Sequence, residues 1–199
     1  MREGIDVSYC QAGFDFQQAA ALGKEFCIVR IGRTRSDGVQ ELDDYFVEHI
    51  NAAKAAGMDL GIYFYSLATT TQEAAQEAKW LIDMMQTYLR GVELKAGIWF
   101  DVEEESQKVL GPDALASVIM AWVNTMNAAN IYAGVYASYD TLTNYVNTDM
   151  IPLYVPFFVA NYDKTNWYKI EHPERNVPIW QYSDTGNIDG MPVDLDVMY

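Results

Sequence analysis

The stretch KAGIWFDVEEES, residues 95–106, decides the fold prediction, because a short apolar run ends abruptly in acidic residues. Residues 96–100 are all apolar, which is typical of a strand buried on both faces of a parallel sheet. The acids that follow are Asp101, Glu103, Glu104 and Glu105. They are therefore predicted to lie at the carboxyl edge of a sheet, where enzymes built on parallel strands carry their catalytic groups.

Apolar strands alternate with amphipathic helices on both sides of this stretch, which is the pattern of βα units. The other strands predicted in this part of the chain are residues 4–8, 26–32, 60–66 and 131–138. A helix is predicted from Leu42, Phe46, Ile50 and Ala53, which recur at helical spacing. Thr70 and Glu73 are predicted to form a capping box that starts the next helix.

The alternation of strands and helices stops after residue 138, where three strand-like segments follow one another with short connections. These segments read PFFVANY, VPIWQYS and VDLDVMY. Five βα units followed by three strands predict an α/β fold, a modified TIM-like barrel. The length of 199 residues fits a single domain that spans the whole chain, residues 1–199.

Composition narrows the classes of function. The net charge of −15 argues against a nucleic-acid partner, because such binding needs a basic surface. No apolar run is long enough to span a membrane, and the first residues, MREGIDVS, do not resemble a signal peptide. We expect a monomer without a membrane partner.

The few histidines and cysteines restrict the chemistry. His49 and His172 are the only histidines, too few for the usual zinc or Ser/Cys-His sites. Cys10 and Cys27 are predicted to be free thiols, because they fall near opposite ends of adjacent strands. No glycine-rich phosphate loop appears, and we expect neither a cofactor nor a metal. Catalysis is predicted to depend on carboxylates, tyrosines and amides.

Four acids are the candidate catalytic residues. Residues two apart on a strand share a face, which places the Cβ atoms of Asp101 and Glu103 about 6.5 Å apart. The first and last strands of a closed barrel are neighbours, so Asp6 and Asp194 should meet at the same rim. Crowded carboxylates raise one another's pKa, and an acid that keeps its proton beside an ionised one suits glycoside hydrolysis.

Other interpretations of these acids stay open. A single aspartate at a strand end, such as Asp6, is more often a helix cap or a turn former. Several converging oxygens could also bind calcium, although no compact loop of alternating ligands supports this. The pair formed by Asp101 and Glu103 has no evident structural purpose, which favours catalysis.

Aromatic residues at the strand ends suggest a sugar-binding groove, because aromatic rings and amide donors suit sugar rings. Packing inside the barrel is the alternative for each ring, and Trp99 is as well suited to plug the barrel as to bind substrate. The candidate substrate-binding residues are Tyr63, Tyr65, Tyr136, Tyr162, Gln181 and Arg33.

An ordered set of motifs resembles the family-25 glycoside hydrolases, the Chalaropsis-type lysozymes of bacteria and phages. The motifs are GIDVS, GFDF, AAGMDLGIYFYS, IWFDVEEE, YAGVYAS, FVANY, IWQYSDTG and VDLDVMY, from Gly4 to Tyr199. The resemblance implies hydrolysis of the β-1,4 bond from N-acetylmuramic acid to N-acetylglucosamine in peptidoglycan. It also implies action outside the cell or at the cell wall, after secretion or phage delivery.

The resemblance assigns a role to each motif acid. Glu103 would be the general acid, and Asp101 would orient the acetamido group of the substrate for a retaining reaction; a direct carboxylate nucleophile is the alternative. Asp6 and Asp194 match the remaining acidic positions of the family. Phe158 and Asp196 depart from it, since tryptophan and asparagine are frequent there. Two other functions stay open: a glycan-binding barrel without catalysis, and a glycosidase for another N-acetyl sugar polymer.

Overall fold

The computed structural model describes residues 1–199 and contains nine strands and seven α-helices. The strands are β1 (Arg2–Val7), β2 (Phe26–Thr34), β3 (Gln40–Leu42), β4 (Asp59–Tyr65), β5 (Ile98–Asp101), β6 (Gly134–Ser138), β7 (Phe157–Ala160), β8 (Ile179–Ile188) and β9 (Met191–Met198). The helices are α1 (Phe16–Ala21), α2 (Phe46–Ala55), α3 (Thr71–Tyr88), α4 (Glu105–Lys108), α5 (Pro112–Ala128), α6 (Tyr139–Asn144) and α7 (Trp167–Glu171).

Eight of the strands close into a barrel, in the order β1-β2-β4-β5-β6-β7-β8-β9. Within the barrel, neighbouring strands from β1 to β8 pair in parallel, whereas β9 runs antiparallel to both of its neighbours, β8 and β1. The predicted α/β barrel is confirmed. Parallel pairing continues through β7 and β8, beyond the five units that the sequence predicted, because α6 and α7 are short but still provide crossovers.

One predicted helix begins later than its periodicity suggested. Leu42 belongs to β3, which pairs antiparallel with the end of β2, and α2 begins only at Phe46. The turn at Asp43 to Tyr45 separates the two elements. The predicted capping box is present: the Thr70 side chain accepts the Glu73 N–H, and the Glu73 side chain accepts the Thr70 N–H.

Strand β5 is shorter than its apolar run. Gly97 has a φ of +90°, and a Cβ atom at this position would lie 2.7 Å from the Trp99 ring. The strand therefore begins at Ile98, and it ends at Asp101. The prediction that Glu103 continues the strand alternation was wrong, since Glu103 lies in the loop between β5 and α4.

The core has two parts, on the outer and inner faces of the barrel. Forty-three buried residues pack between the strands and the surrounding helices. The barrel interior holds a cluster of six, namely Phe26, Ile28, Ala96, Trp99, Phe158 and Ile179. Trp99 is 2% exposed, so it plugs the barrel. This apolar floor supports the polar residues of the carboxyl rim.

Two smaller features complete the fold. Cys10 is exposed and Cys27 is buried, and both are free thiols. No helix combines the length and the apolar character needed to cross a bilayer.

Candidate active site

A pocket of about 130 Å³ opens at the carboxyl ends of the parallel strands. Its lining gathers all four predicted catalytic acids and most of the predicted substrate-binding residues. The lining residues are Asp6, Tyr63, Asp101, Glu103, Tyr136, Phe158, Tyr162, Gln181 and Asp194.

The Gln181 amide orients one side of the pocket. Its Oε1 accepts hydrogen bonds from the hydroxyls of Tyr136 and Tyr162, each at 2.8 Å. Its Nε2 therefore points the other way and donates to Asp6 Oδ2 at 2.7 Å. Asp6 pairs with Asp194 across β1 and β9, as the closed barrel predicted. The neighbouring strands thus place a fixed carboxyl beside a second one.

Asp101 is the most deeply buried of the acids at the end of β5. It is 3% exposed, and its Oδ1 has no hydrogen-bond partner in the protein. Burial, together with the charges of Glu103 and Asp6, raises its pKa well above the ordinary value, although Arg30 acts in the opposite direction. A buried oxygen without a partner is available for a group of a bound ligand.

Glu103 lies at the mouth of the pocket, where it is exposed, and its carboxylate accepts no hydrogen bond from the protein. The surrounding residues of the rim partly desolvate Glu103 and so raise its pKa, and the charges of Glu104 and Asp194 raise it further. Lys108 and Arg30 lower it. Glu103 is thus the accessible acid of the pocket, and it keeps its proton to a higher pH than an ordinary glutamate does.

Asp194 and Asp196 differ in their surroundings. Desolvation and the charge of Asp184 raise the pKa of Asp194 to about 6. Asp196 points into the barrel below the pocket, is fully buried, and has no hydrogen-bond partner on either carboxyl oxygen. Its pKa is raised well above the ordinary value by burial and by the charges of Asp6 and Asp194.

Two predicted substrate-binding residues lie outside the pocket. Arg33 is bound to Glu41 at 2.7 Å and does not line it. Arg30 is buried near the acids and pairs with Asp43 at 2.7 Å. Tyr65 stands next to the rim, where its hydroxyl donates to Glu104.

Sequence reasoning missed the part that the loop after β5 plays. Glu104 caps α4, and its carboxylate accepts a hydrogen bond from the Tyr65 hydroxyl. Phe158 lines the pocket and packs edge-on against Tyr136 at 4.8 Å, so the departure from tryptophan lies in the pocket wall. Glu104 and Gln107 form a capping box at the start of α4, and this pair of residues could have predicted from the sequence where the loop ends.

The acids are not arranged as a metal site, since no group of three or more His, Cys, Asp or Glu side chains has suitable geometry. A larger cavity of about 390 Å³ opens at the opposite end of the barrel. It is mainly apolar, lined by residues such as Trp99, Tyr132 and Met198, and it contains none of the acids. The polar pocket at the carboxyl rim is therefore the candidate active site.

The chain is a closed βα barrel with several acidic side chains at the end where its parallel strands finish. This arrangement is typical of hydrolytic barrel enzymes. The family model for "Glycosyl hydrolases family 25" matches residues 5–191, and the chain belongs to this family of glycoside hydrolases. The resemblance inferred from the motifs is confirmed.

Individual relatives are distant in sequence, and those with solved structures are close in fold. The uncharacterised protein YegX of Escherichia coli K12 is 24% identical over 205 residues, covering 98% of this chain and 68% of YegX. The modular autolysin LytC of Streptococcus pneumoniae matches with a TM-score of 0.84 and 24% identity, over 100% of this chain but only 46% of LytC. LytC has also been solved with a synthetic peptidoglycan ligand. A muramidase from Trichobolus zukalii matches with a TM-score of 0.76 and 19% identity, over 100% of this chain and 94% of the muramidase.

Proposed function

We propose that this glycoside hydrolase cleaves the β-1,4 bond from N-acetylmuramic acid to N-acetylglucosamine in bacterial peptidoglycan. The observation that carries the proposal is the pairing of Asp101 and Glu103 in one pocket, one buried with a free oxygen and one at the mouth. Family membership and the similarity to a muramidase and to an autolysin support the substrate class.

Glu103 acts as the general acid and then as the general base. Its raised pKa keeps a proton available for the leaving oxygen, and its exposed position allows water to enter after the leaving sugar departs. Asp101 orients the acetamido group of the substrate through its free Oδ1, so that the acetamido oxygen attacks the anomeric carbon. Retention of configuration follows from two successive displacements.

Asp6, Gln181 and the two tyrosines hold the sugar. Burial raises the pKa of Tyr136 well above its ordinary value, so its hydroxyl remains a donor to Gln181. Tyr162 is exposed at the rim and offers a ring face to a sugar. We further propose that the protein works as a monomer, outside the cell or at the wall, on the peptidoglycan glycan strand.

The first test is mass spectrometry of reduced fragments from purified peptidoglycan treated with the protein. We expect muramic acid at the new reducing ends. Glu103→Gln should lower the rate about 10²- to 10⁴-fold, the usual contribution of a general acid. Glu105→Gln is the matched control, because Glu105 is exposed two residues away and pairs with Lys108 rather than facing the pocket; its rate should stay near that of the wild type.

Each other outcome contradicts a defined part of the proposal. Glucosamine at the new ends would mean that a different bond is cleaved. Cleavage of another N-acetyl sugar polymer alone would change the substrate. Glycan binding without new ends would indicate a binding barrel without catalysis.

A further inference from the structure

A buried acid outside the pocket joins two strands of the catalytic rim. Glu77 of α3 is 1% exposed and pairs with no cation. Its Oε1 accepts the Thr34 hydroxyl at 2.7 Å and the Leu67 N–H at 3.3 Å, and its Oε2 accepts the Ser66 hydroxyl at 2.7 Å. Burial raises its pKa to about 7 despite these bonds. Glu77 thus ties the end of β2 to the loop after β4.

Ser66 links Glu77 by hydrogen bonds to a second buried residue, Gln107 of α4. The Ser66 hydroxyl donates to Glu77 and accepts the Gln107 Nε2 at 3.3 Å. The same Nε2 lies 3.4 Å and 3.3 Å from the carbonyl oxygens of Ser66 and Ala68. Gln107 is fully buried, and its Oε1 accepts the Glu104 N–H at 3.2 Å. A continuous chain of hydrogen bonds therefore runs from α3 to the residue next to Glu103.

The loop around Glu103 is fixed only through its neighbours. Strand β5 ends at Asp101, so no sheet ladder holds Glu103. The Val102 N–H donates to the Tyr136 carbonyl at 3.0 Å on one side. On the other side, Glu104 is held by Gln107 through its backbone and by Tyr65 through its side chain. The position of the Glu103 carboxyl depends on these two anchors.

We propose that Glu77 and Gln107 are positioning residues which, through Ser66, hold the Glu103 loop in the place that the reaction requires. The inference deepens the proposed function and rests on it. A buried acid without a cation is costly to keep, so its presence at position 77 needs a compensating role. Its acceptor atoms are what the network uses, because all three of its partners are donors.

An isosteric substitution breaks this pattern. In Glu77→Gln, one oxygen becomes an NH₂ group, which cannot accept a hydrogen bond. If the NH₂ faces Ser66, the hydroxyl proton must turn toward Gln107 or Ala68, which are also donors there. If the NH₂ group faces Thr34 and Leu67, two donors meet, because the Leu67 N–H also points at this position. Either orientation disturbs the network with little change in volume.

The kinetic test compares Glu77→Gln and Gln107→Ala with the wild type on soluble peptidoglycan fragments. We expect kcat to fall about 10- to 100-fold with KM changed by less than about twofold, since a small misplacement of a catalytic group is costly. Glu73→Gln is the matched control: Glu73 lies on the same helix, is exposed, and accepts hydrogen bonds only from Thr69 and Thr70 at the start of α3. It should lower thermal stability without lowering kcat.

A measurement without substrate separates this inference from the proposed function. The titration midpoint of the Glu103 side-chain carboxyl, followed by NMR, should move down toward an ordinary glutamate in both variants. The freed loop would move this carboxyl out of the rim, which removes its partial desolvation and takes it away from Asp194. The midpoint should stay unchanged in Glu73→Gln. If the wild type cleaves no glycan, the proposed function fails while this titration still decides the positioning role.

A milder variant covers the case in which Gln107→Ala does not fold. Ser66→Ala removes only the hydroxyl that links the two positioning residues, and it should show the same fall in kcat and in the Glu103 midpoint. Folded variants, checked by circular dichroism, that keep both kcat and the midpoint of the wild type would overturn the inference.

Discussion

Asp196 is the most unfavourably placed carboxyl in the molecule. It is fully buried inside the barrel, and neither oxygen has a hydrogen-bond partner. The register places it opposite Gly4 on β1 and Gln181 on β8, where glycine supplies no donor and the Gln181 Nε2 is already committed to Asp6. Burial without a partner therefore favours the protonated form of this carboxyl and raises its pKa.

The sign of the resulting pH dependence follows from the raised pKa. As pH rises through the ordinary aspartate pKa, the unfolded chain loses this proton first, so the free energy of unfolding falls with further rise in pH. Asp196→Asn removes this loss. We expect the variant to be more stable than the wild type at pH 7 by about 1–3 kcal/mol, and to gain much less at pH 4. Urea denaturation at both pH values measures it. Asp149→Asn, at an exposed site, is the control, and an equal gain at both pH values would contradict the prediction.

Residue-level prediction succeeded where strand pairing fixes geometry. Asp6 and Asp194 could be paired from the sequence because a closed barrel makes its first and last strands adjacent. Asp101 and Glu103 do share the pocket, but through a loop rather than through strand alternation. Arg33 was predicted to bind substrate but pairs with Glu41 outside the pocket, because side-chain partners of this kind cannot be read from local spacing.

At the scale of elements, β5 and β6 show how the barrel interior is filled. A Cβ atom on Gly134 would lie 2.5 Å from the Pro156 carbonyl oxygen and 2.6 Å from the Trp99 ring. The space that a side chain would take at the start of β6 is therefore occupied by the tryptophan of β5. This packing keeps the floor of the barrel dry beneath the acids.

Gly134→Ala should lower the free energy of unfolding by about 1–3 kcal/mol, the usual cost of overpacking. It should also shift the fluorescence of the protein, because Trp99 must move. Gly111→Ala provides the comparison. Gly111 has a φ of +87° and nothing lies near an added Cβ, so the alanine variant is destabilised by backbone strain and not by overpacking. Denaturation followed by fluorescence separates the two, and an unperturbed Trp99 signal in Gly134→Ala would count against the packing account.

Element-level prediction was most reliable for the long periodic segments. The βα alternation and the Thr70 cap were both readable from the sequence. The three-residue β3 was not, because so short a strand has too few residues to show alternation. Its pairing with β2 is a tertiary contact that overrides the helical spacing of Leu42.

At the scale of the whole molecule, the net charge of −15 opposes approach to bacterial walls that carry anionic polymers. Added salt shortens the range of this repulsion from about 30 Å at 0.01 M to about 8 Å at 0.15 M. We therefore expect activity on whole walls to rise with moderate salt. A turbidity assay measures it, with walls stripped of anionic polymers as the control; a steady fall with salt on whole walls would contradict the expectation.

The antiparallel pairing of β9 with β1 has a consequence for the order in which the protein is made. Synthesis proceeds from the amino terminus, so β1 emerges first and waits for its second neighbour until β9 has left the ribosome. A nascent chain that already contains Asp101 and Glu103 still exposes an open strand edge and lacks Asp194. The complete pocket is assembled only when translation of the last strand is finished.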